Sequence, residues 1–222
     1  LIDPSPAFLA LLAGDEEALE LDQAALEVAT LDRPGLDPGG VLRILDTWAA
    51  AINSRLSPSA GGAHFLSTVN RFLFEETGLG GDIEDYYAPA NSCLDQVLER
   101  RKGLPLTLSV IYLEIARRLL RPVYGIPLPA HFLCQYNDGL VKVYIDVFDG
   151  GRLLTEDDCL DLIEKLTNRR LESTPLLFAP ATKRQVVARM LNNLFSAYRR
   201  LGDLRKAEDA ERWLRLAYPG AV

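Results

Sequence analysis

The order of elements along the chain predicts an α+β fold. Three observations carry it. Apolar residues at helical spacing dominate residues 6–120, the texture turns to β-branched and aromatic runs around Asn137-Asp138-Gly139, and the helical pattern returns from Thr182. With 222 residues, 48% hydrophobic and 25% charged, the chain can bury a core as one large domain or one domain with a small appendage.

Pro6 to Leu12 reads as a short apolar helix that stops at Gly14, and Asp15-Glu16-Glu17 open a second helix with acids in its first turn, where the macrodipole favours them. Pro34-Gly35 and Pro38-Gly39-Gly40 break the pattern. A third helix runs from about Val41 to Leu56 with Leu45, Trp48 and Ile52 on its apolar face. Ser57 to Gly62 form a loop, and a fourth helix carries Phe65, Val69, Phe72 and Leu73 to Gly78. Pro89 starts the next helix, which Asn91 or Ser92 can cap, and Arg100-Arg101-Lys102-Gly103 supply cations and glycine at its end. Leu106 to Leu120 is apolar around most of its circumference and is expected to be central, with Pro105 at its first turn, where a missing N–H costs nothing. Pro122 to Pro127, His131 to Tyr136 and Leu140 to Val147 read as strands, with Asp138-Gly139 as a hairpin turn and Gly150-Gly151-Arg152 closing the region. Thr155 caps a helix beginning Glu156-Asp157-Asp158.

Several functions are disfavoured at once. Lys and Arg number 24 against 31 Asp and Glu, and a net charge of −7 without a basic tail argues against nucleic acid and against anionic membranes. No apolar run approaches the roughly 20 residues of a membrane span, and Leu1-Ile2-Asp3-Pro4 lack the basic region of a signal peptide. The three cysteines, Cys93, Cys134 and Cys159, are odd in number and widely spaced, which reads as reduced thiols of a cytoplasmic protein. Two histidines, His64 and His131, are too few for a His-rich metal site, so neither metal nor cofactor is expected.

Three blocks stand in order: Arg100 to Pro105 with the helix that follows, Gly125 to Phe132, and Tyr144 to Arg152. In that order and spacing the chain resembles the transglutaminase-like superfamily, and more closely its SirB-type branch, over about residues 8–219. Asn91-Ser92 and the helix from Leu94 to Leu98 fit the same branch. The resemblance implies a transglutaminase-like, papain-like cysteine-protease core with a helical N-terminal region and a C-terminal helical hairpin similar to one tetratricopeptide unit, with Tyr198, Ala207 and Pro219 at consensus spacing. The implied divisions are 1–80 (helical), 81–180 (core) and 181–222 (the hairpin). A single such unit does not bury its own apolar face, so the hairpin is expected to pack on the core or on a partner.

In the superfamily a cysteine opens the central helix, where the helix N-terminus and a nearby histidine favour the thiolate, and an aspartate orients the imidazole. The resemblance places His131 at the histidine and Asp146 at the aspartate. It places Pro105 at the cysteine, and proline carries neither nucleophile nor N–H donor. Ala130 stands where the branch has glycine before the histidine, and Val147 where proline follows the aspartate. Gly103, Pro105, Phe132 and Asn91 are the expected cleft residues.

Substitute nucleophiles are few. Thr107 lies about 200° around the helix from Pro105. Ser109 is in the next turn, Cys93 is roughly 15 Å from the triad region, and Cys134 is expected to face away from His131 by strand parity. Cys159 reads as helix packing, His64 as a residue without chemistry, and the acids at 16–17, 82–85 and 156–158 as solvated helix starts. The resulting expectation is a non-catalytic module that binds a peptide or protein partner. The alternative is a residual hydrolase or transferase that uses a hydroxyl or water on His131.

Overall fold

The computed structural model describes residues 2–57 and 59–218; Pro58 of the expected loop and Pro219 of the expected hairpin lie outside them. Helix α1 (Pro6–Ala13) is capped by the Ser5 hydroxyl, which accepts from the Phe8 N–H at 2.9 Å. The acids that follow do not open a helix. Helix α2 spans Leu21–Ala29, the segment before it turns back through N–H bonds from Ala18 and Leu19 to the Asp15 carbonyl, and Glu16 accepts a hydrogen bond from the distant Lys183 N–H.

Helix α3 (Pro38–Asn53) begins earlier than the apolar pattern predicts. The Pro38-Gly39-Gly40 segment is its first turn, because the Asp37 carboxylate accepts from the N–H groups of Gly39 and Gly40 at 3.1 and 3.2 Å and Pro38 has no N–H to leave unpaired. Helix α4 (Gly62–Asn70) continues as a π-helical stretch over Arg71–Glu76.

Strand β1 (Gly80–Gly81) pairs in parallel with β2 (Lys102–Gly103). Between them a 3₁₀ turn (Pro89–Ser92) leads into α5 (Leu94–Arg100). Neither Asn91 nor Ser92 caps α5: Cys93 is the capping position and makes no side-chain cap bond. Helix α6 (Pro105–Arg118) is buried over most of its surface, with Pro105 in its first turn as expected.

Strands β3 (Val123–Ile126), β4 (Leu133–Asn137), β5 (Lys142–Asp146) and β6 (Arg152–Leu154) form an antiparallel sheet in chain order. The β4–β5 turn is the expected hairpin, with the Asp138 carboxylate accepting from the N–H groups of Leu140 and Val141 at 2.9 and 2.7 Å. Strand β6 goes beyond the sequence expectation. Gly150 and Gly151 adopt φ of 61° and 77°, and this left-handed pair folds the chain back onto β5. Helix α7 (Glu156–Thr167) opens on the expected Thr155 cap, completed to a capping box by Asp158. Helices α8 (Lys183–Leu201) and α9 (Leu204–Ala217) follow, joined at Gly202.

The period-2 alternation of the strands sorts their side chains into two layers. Cys134, Tyr136 and Ile145 join the large cluster around α6, whereas Leu133, Tyr144 and Leu154 pack with Cys159, Ile163 and Phe178 on the α7 side. The large cluster extends from Phe8 to Ala217 and includes Val187, Met190, Leu191, Leu194 and Trp213. The inner face of the last two helices is therefore closed against the rest of the chain, and the N-terminal helices share the same core.

Candidate functional site

His131 sits at the end of a tight turn just before β4. Its N–H bonds the Leu128 carbonyl at 3.2 Å, and Ala130 turns the chain with φ of 60°. The imidazole Nε2 lies 2.9 Å from Oδ1 of Asp146, with both residues buried. Asp146 ends β5, and the same Oδ1 accepts from the N–H groups of Phe148 and Asp149 at 3.1 and 3.3 Å. Three donors thus fix the carboxylate, and the carboxylate fixes the ring. The Phe148 ring stands edge-on to the imidazole, with centroids 6.2 Å apart. Nδ1 of His131 has no partner among the described residues.

Two cavities meet at His131, and Asp146 borders the larger. The larger, about 430 Å³, is bordered by Tyr86, Pro105, His131, Asp146 and Phe148, with Asp158, Asp161 and Lys165 of α7 on its far wall. The smaller, about 250 Å³, lies on the α8 side and is bordered by Tyr86, Pro105, His131, Phe132, Arg189 and Asn192. Pro105, at the N-terminus of α6, borders both.

No serine, threonine or cysteine lines either cavity among the described residues. Ser109 is buried and donates to the Pro105 carbonyl at 2.8 Å, and the Thr107 hydroxyl is enclosed without a partner. Burial pushes the Cys134 thiol up to about 12, the Cys159 thiol likewise to about 12, and the Cys93 thiol well above its ordinary value. The strand-parity argument for Cys134 does not apply, because His131 precedes β4. Cys134 is nonetheless out of reach, fully buried against α6 with its sulfur 3.9 Å from the Ser109 carbonyl oxygen. Tyr86 supplies the one hydroxyl among the described lining residues, and burial pushes its phenol up.

The remaining expected cleft residues divide. Phe132 borders the smaller cavity, under the Arg189 guanidinium at 5.4 Å. Gly103 and Asn91 border neither. A Cβ on Gly103 would lie 2.8 Å from Val97, and its carbonyl accepts from the Asp82 N–H at 3.2 Å, so Gly103 serves packing and the β1–β2 pairing. Asn91 is fully buried: its amide donates to the Asp85 carbonyl at 2.7 Å, and its oxygen accepts from Arg100 at 2.9 Å. Arg100 also pairs with Asp82 at 2.9 Å. Asp82 is thus a buried ion-pair member and not a solvated helix start. Together Asp82, Asn91 and Arg100 hold the segment that carries Ile83 and Tyr86 to the larger cavity.

Tyr86, Phe148 and Arg189 are site residues that sequence reasoning missed. For Arg189 a signal exists: with Val186, Met190 and Asn193 it lies at helical spacing on the buried stripe of α8, where a cation needs a reason. Its Nη2 donates to the carbonyl oxygens of His131 and Leu128 at 2.7 and 3.3 Å. His64 is exposed and borders neither cavity. Among the described residues no group of three or more His, Cys, Asp or Glu converges as a metal site, and no helix is long and apolar enough to cross a membrane.

Residues 40–192 match the transglutaminase-like superfamily. The chain is similar to a UPF0162 protein of Xylella fastidiosa (strain 9a5c), 33% identical over 198 residues that cover 87% of this chain and 70% of that protein. It is similar to a UPF0162 protein of Pseudomonas aeruginosa, 30% identical over 222 residues, 100% of this chain and 80% of that one. F-box only protein 21 of Mus musculus is 32% identical over 164 residues, 70% of this chain but 25% of its own length. No solved structure matches. The chain belongs to the transglutaminase-like superfamily, together with the UPF0162 proteins.

Proposed function

We propose that this protein is a non-catalytic, SirB-type member of its superfamily that binds a peptide or protein segment in the cleft at Pro105, His131 and Asp146. One observation carries the reading. The His131–Asp146 pair, 2.9 Å apart, opens on a cavity in which proline occupies the helix N-terminus and no Ser, Thr or Cys lines the wall among the described residues. The exposed side chains of Ile83 and Leu166 at the same cavity suit an apolar contact with a ligand. A matching stretch within the longer F-box only protein 21 supports a portable unit. The tetratricopeptide-like reading of α8 and α9 draws support from Gly202 between them and from buried Tyr198 and Ala207. Three free, buried cysteines support a cytoplasmic location.

A second reading, a hydrolase that uses water, is favoured by the unpartnered Nδ1 of His131 beside an open cavity. The two part on experiment. Peptides carrying a photo-crosslinker should label the walls of the cavity, with no amide or ester turnover. Turnover that disappears in His131→Ala would establish the hydrolase instead, and labelling scattered away from the cavity would sink both.

A further inference from the structure

The smaller cavity beside His131 is not isolated. A third cavity of about 230 Å³ adjoins it, sharing Tyr86, Leu104 and Asn193 and bordered also by Arg200. One face of α8 forms one wall, through Arg189, Asn193, Ser196 and Arg200, and the segment carrying Tyr86 and Tyr87 forms the other. From Arg189 to Arg200 the helix rises about 16 Å, a length that about five residues of extended chain span.

The charge of this groove differs from that of the molecule. The chain as a whole carries −7, and the larger cavity across His131 is bordered by Asp149, Asp158 and Asp161. Along α8 the sign reverses: two guanidinium groups line the groove, and no Asp or Glu does among the described residues. Neither Arg189 nor Arg200 has a carboxylate in ion-pair contact among the described residues. Arg189 uses Nη2 for two carbonyl oxygens and leaves Nε and Nη1 unpaired yet not sealed from the cavity. The Arg200 guanidinium carbon stands over the Tyr87 ring, 3.7 Å from its centroid. At the groove wall Ser92 is 1% exposed, and its hydroxyl has no partner.

Arg189, half-buried without a counter-charge, is unfavourably placed unless the counter-charge arrives with a ligand, and the exposed Arg200 extends the positive charge along the same face. We propose that the groove along α8 takes an acidic peptide segment in extended form, with carboxylates on Arg189 and Arg200 and its backbone amides on Asn193 and Ser196. An asparagine side chain both donates and accepts, as a peptide backbone requires. A nucleic acid fits poorly, because two cations on a chain of net charge −7 offer little counterion release. This occupant rests on the cleft being a peptide site and names its chemistry.

The test is fluorescence anisotropy on the full chain with three labelled hexapeptides: one rich in Asp and Glu, its Asn/Gln counterpart, and a Lys-rich one, with a single-stranded oligonucleotide as competitor. The acidic peptide is expected to bind at least about tenfold tighter than its amide counterpart. Arg189→Gln should weaken it about tenfold. Arg200→Glu, at an exposed side chain over the Tyr87 ring, should weaken the acidic peptide about fivefold, a larger loss than the amide peptide shows. If the amide or Lys-rich peptide binds equally well, or Arg200→Glu has no effect, the acidic occupant is wrong and the cleft reading survives. Displacement by the oligonucleotide at equal charge also overturns it. If no peptide binds, both readings fail.

Discussion

The carbonyl oxygen of His131 accepts a 2.7 Å hydrogen bond from Nη2 of Arg189, which lies 58 residues further along the chain. The last helical pair is thus bonded to the turn that carries the imidazole. The same guanidinium covers Phe132 and reaches the Leu128 carbonyl, so one side chain braces both ends of that turn. Removing it leaves the His131 carbonyl without its donor and the Leu128 carbonyl with only the His131 N–H. Arg189→Leu is expected to lower stability by about 2 kcal/mol, read as a shift in the urea midpoint at unchanged slope. A loss below about 0.5 kcal/mol would mean that the turn stands without the brace.

Ala130 adopts φ of 60° immediately before His131, at the position where the resemblance has glycine. A Cβ in the left-handed region is strained by about 1–2 kcal/mol, and glycine there avoids the strain at some entropic cost in the unfolded chain. Ala130→Gly should therefore stabilise the protein by about 0.5–1 kcal/mol, where glycine elsewhere destabilises. A thermal melt of the variant that moves downward would show that the turn tolerates the side chain without strain.

The parts of the fold set by periodicity and turn chemistry were legible in the sequence. The central α6, the β4–β5 hairpin and the Thr155-capped α7 follow from apolar spacing, from Asp138-Gly139 and from the Thr155 cap before three acids, all local signals. What was not legible depends on partners distant in sequence. Asp82 and Arg100 look like a solvated acid and a helix-end cation until their 2.9 Å ion pair is seen, and Asn91 looks like a cap until Arg100 and the Asp85 carbonyl claim it. The site shows the same division. His131, Asp146 and Pro105 were reachable through motif order, whereas Tyr86 arrives on a loop whose sequence carries no chemistry signature, and Arg189 is marked only as a cation on the buried stripe of α8.

The Asp82–Arg100 pair carries a pH dependence of defined sign. The Asp85 N–H holds the Asp82 carboxyl below the usual aspartate range, with Asn91 and Arg100 adding to the effect against the opposing push of burial. A carboxyl whose folded pKa lies below its unfolded value contributes its full stability above the unfolded pKa, about 4, and loses it as pH falls through the folded value. Asp82→Asn should therefore cost about 1 kcal/mol at pH 7, and the gap to the unsubstituted protein should narrow steadily below pH 4. Denaturation curves at pH 7 and pH 3 check this. An equal gap at both would place the stabilisation in the asparagine-accessible hydrogen bonds and not in the charge.

Pro105 sits in the first turn of α6 and borders both cavities that His131 borders. A thiol introduced there would meet the partial positive charge of a helix N-terminus and an imidazole already held by Asp146, two features that favour the thiolate. The native thiols give little background, since Cys93, Cys134 and Cys159 are all fully buried with their pKa values raised by burial. Pro105→Cys is expected to be alkylated by iodoacetamide at pH 6.5 at least about tenfold faster than a free cysteine of pKa about 8.5, and His131→Ala in that background should abolish most of the gain. The unsubstituted protein should remain unreactive until unfolded. A Pro105→Cys thiol that reacts no faster than free cysteine would mean that the helix end and the imidazole do not converge on this position, and the assignment of Pro105 to the nucleophile's place would fall with it.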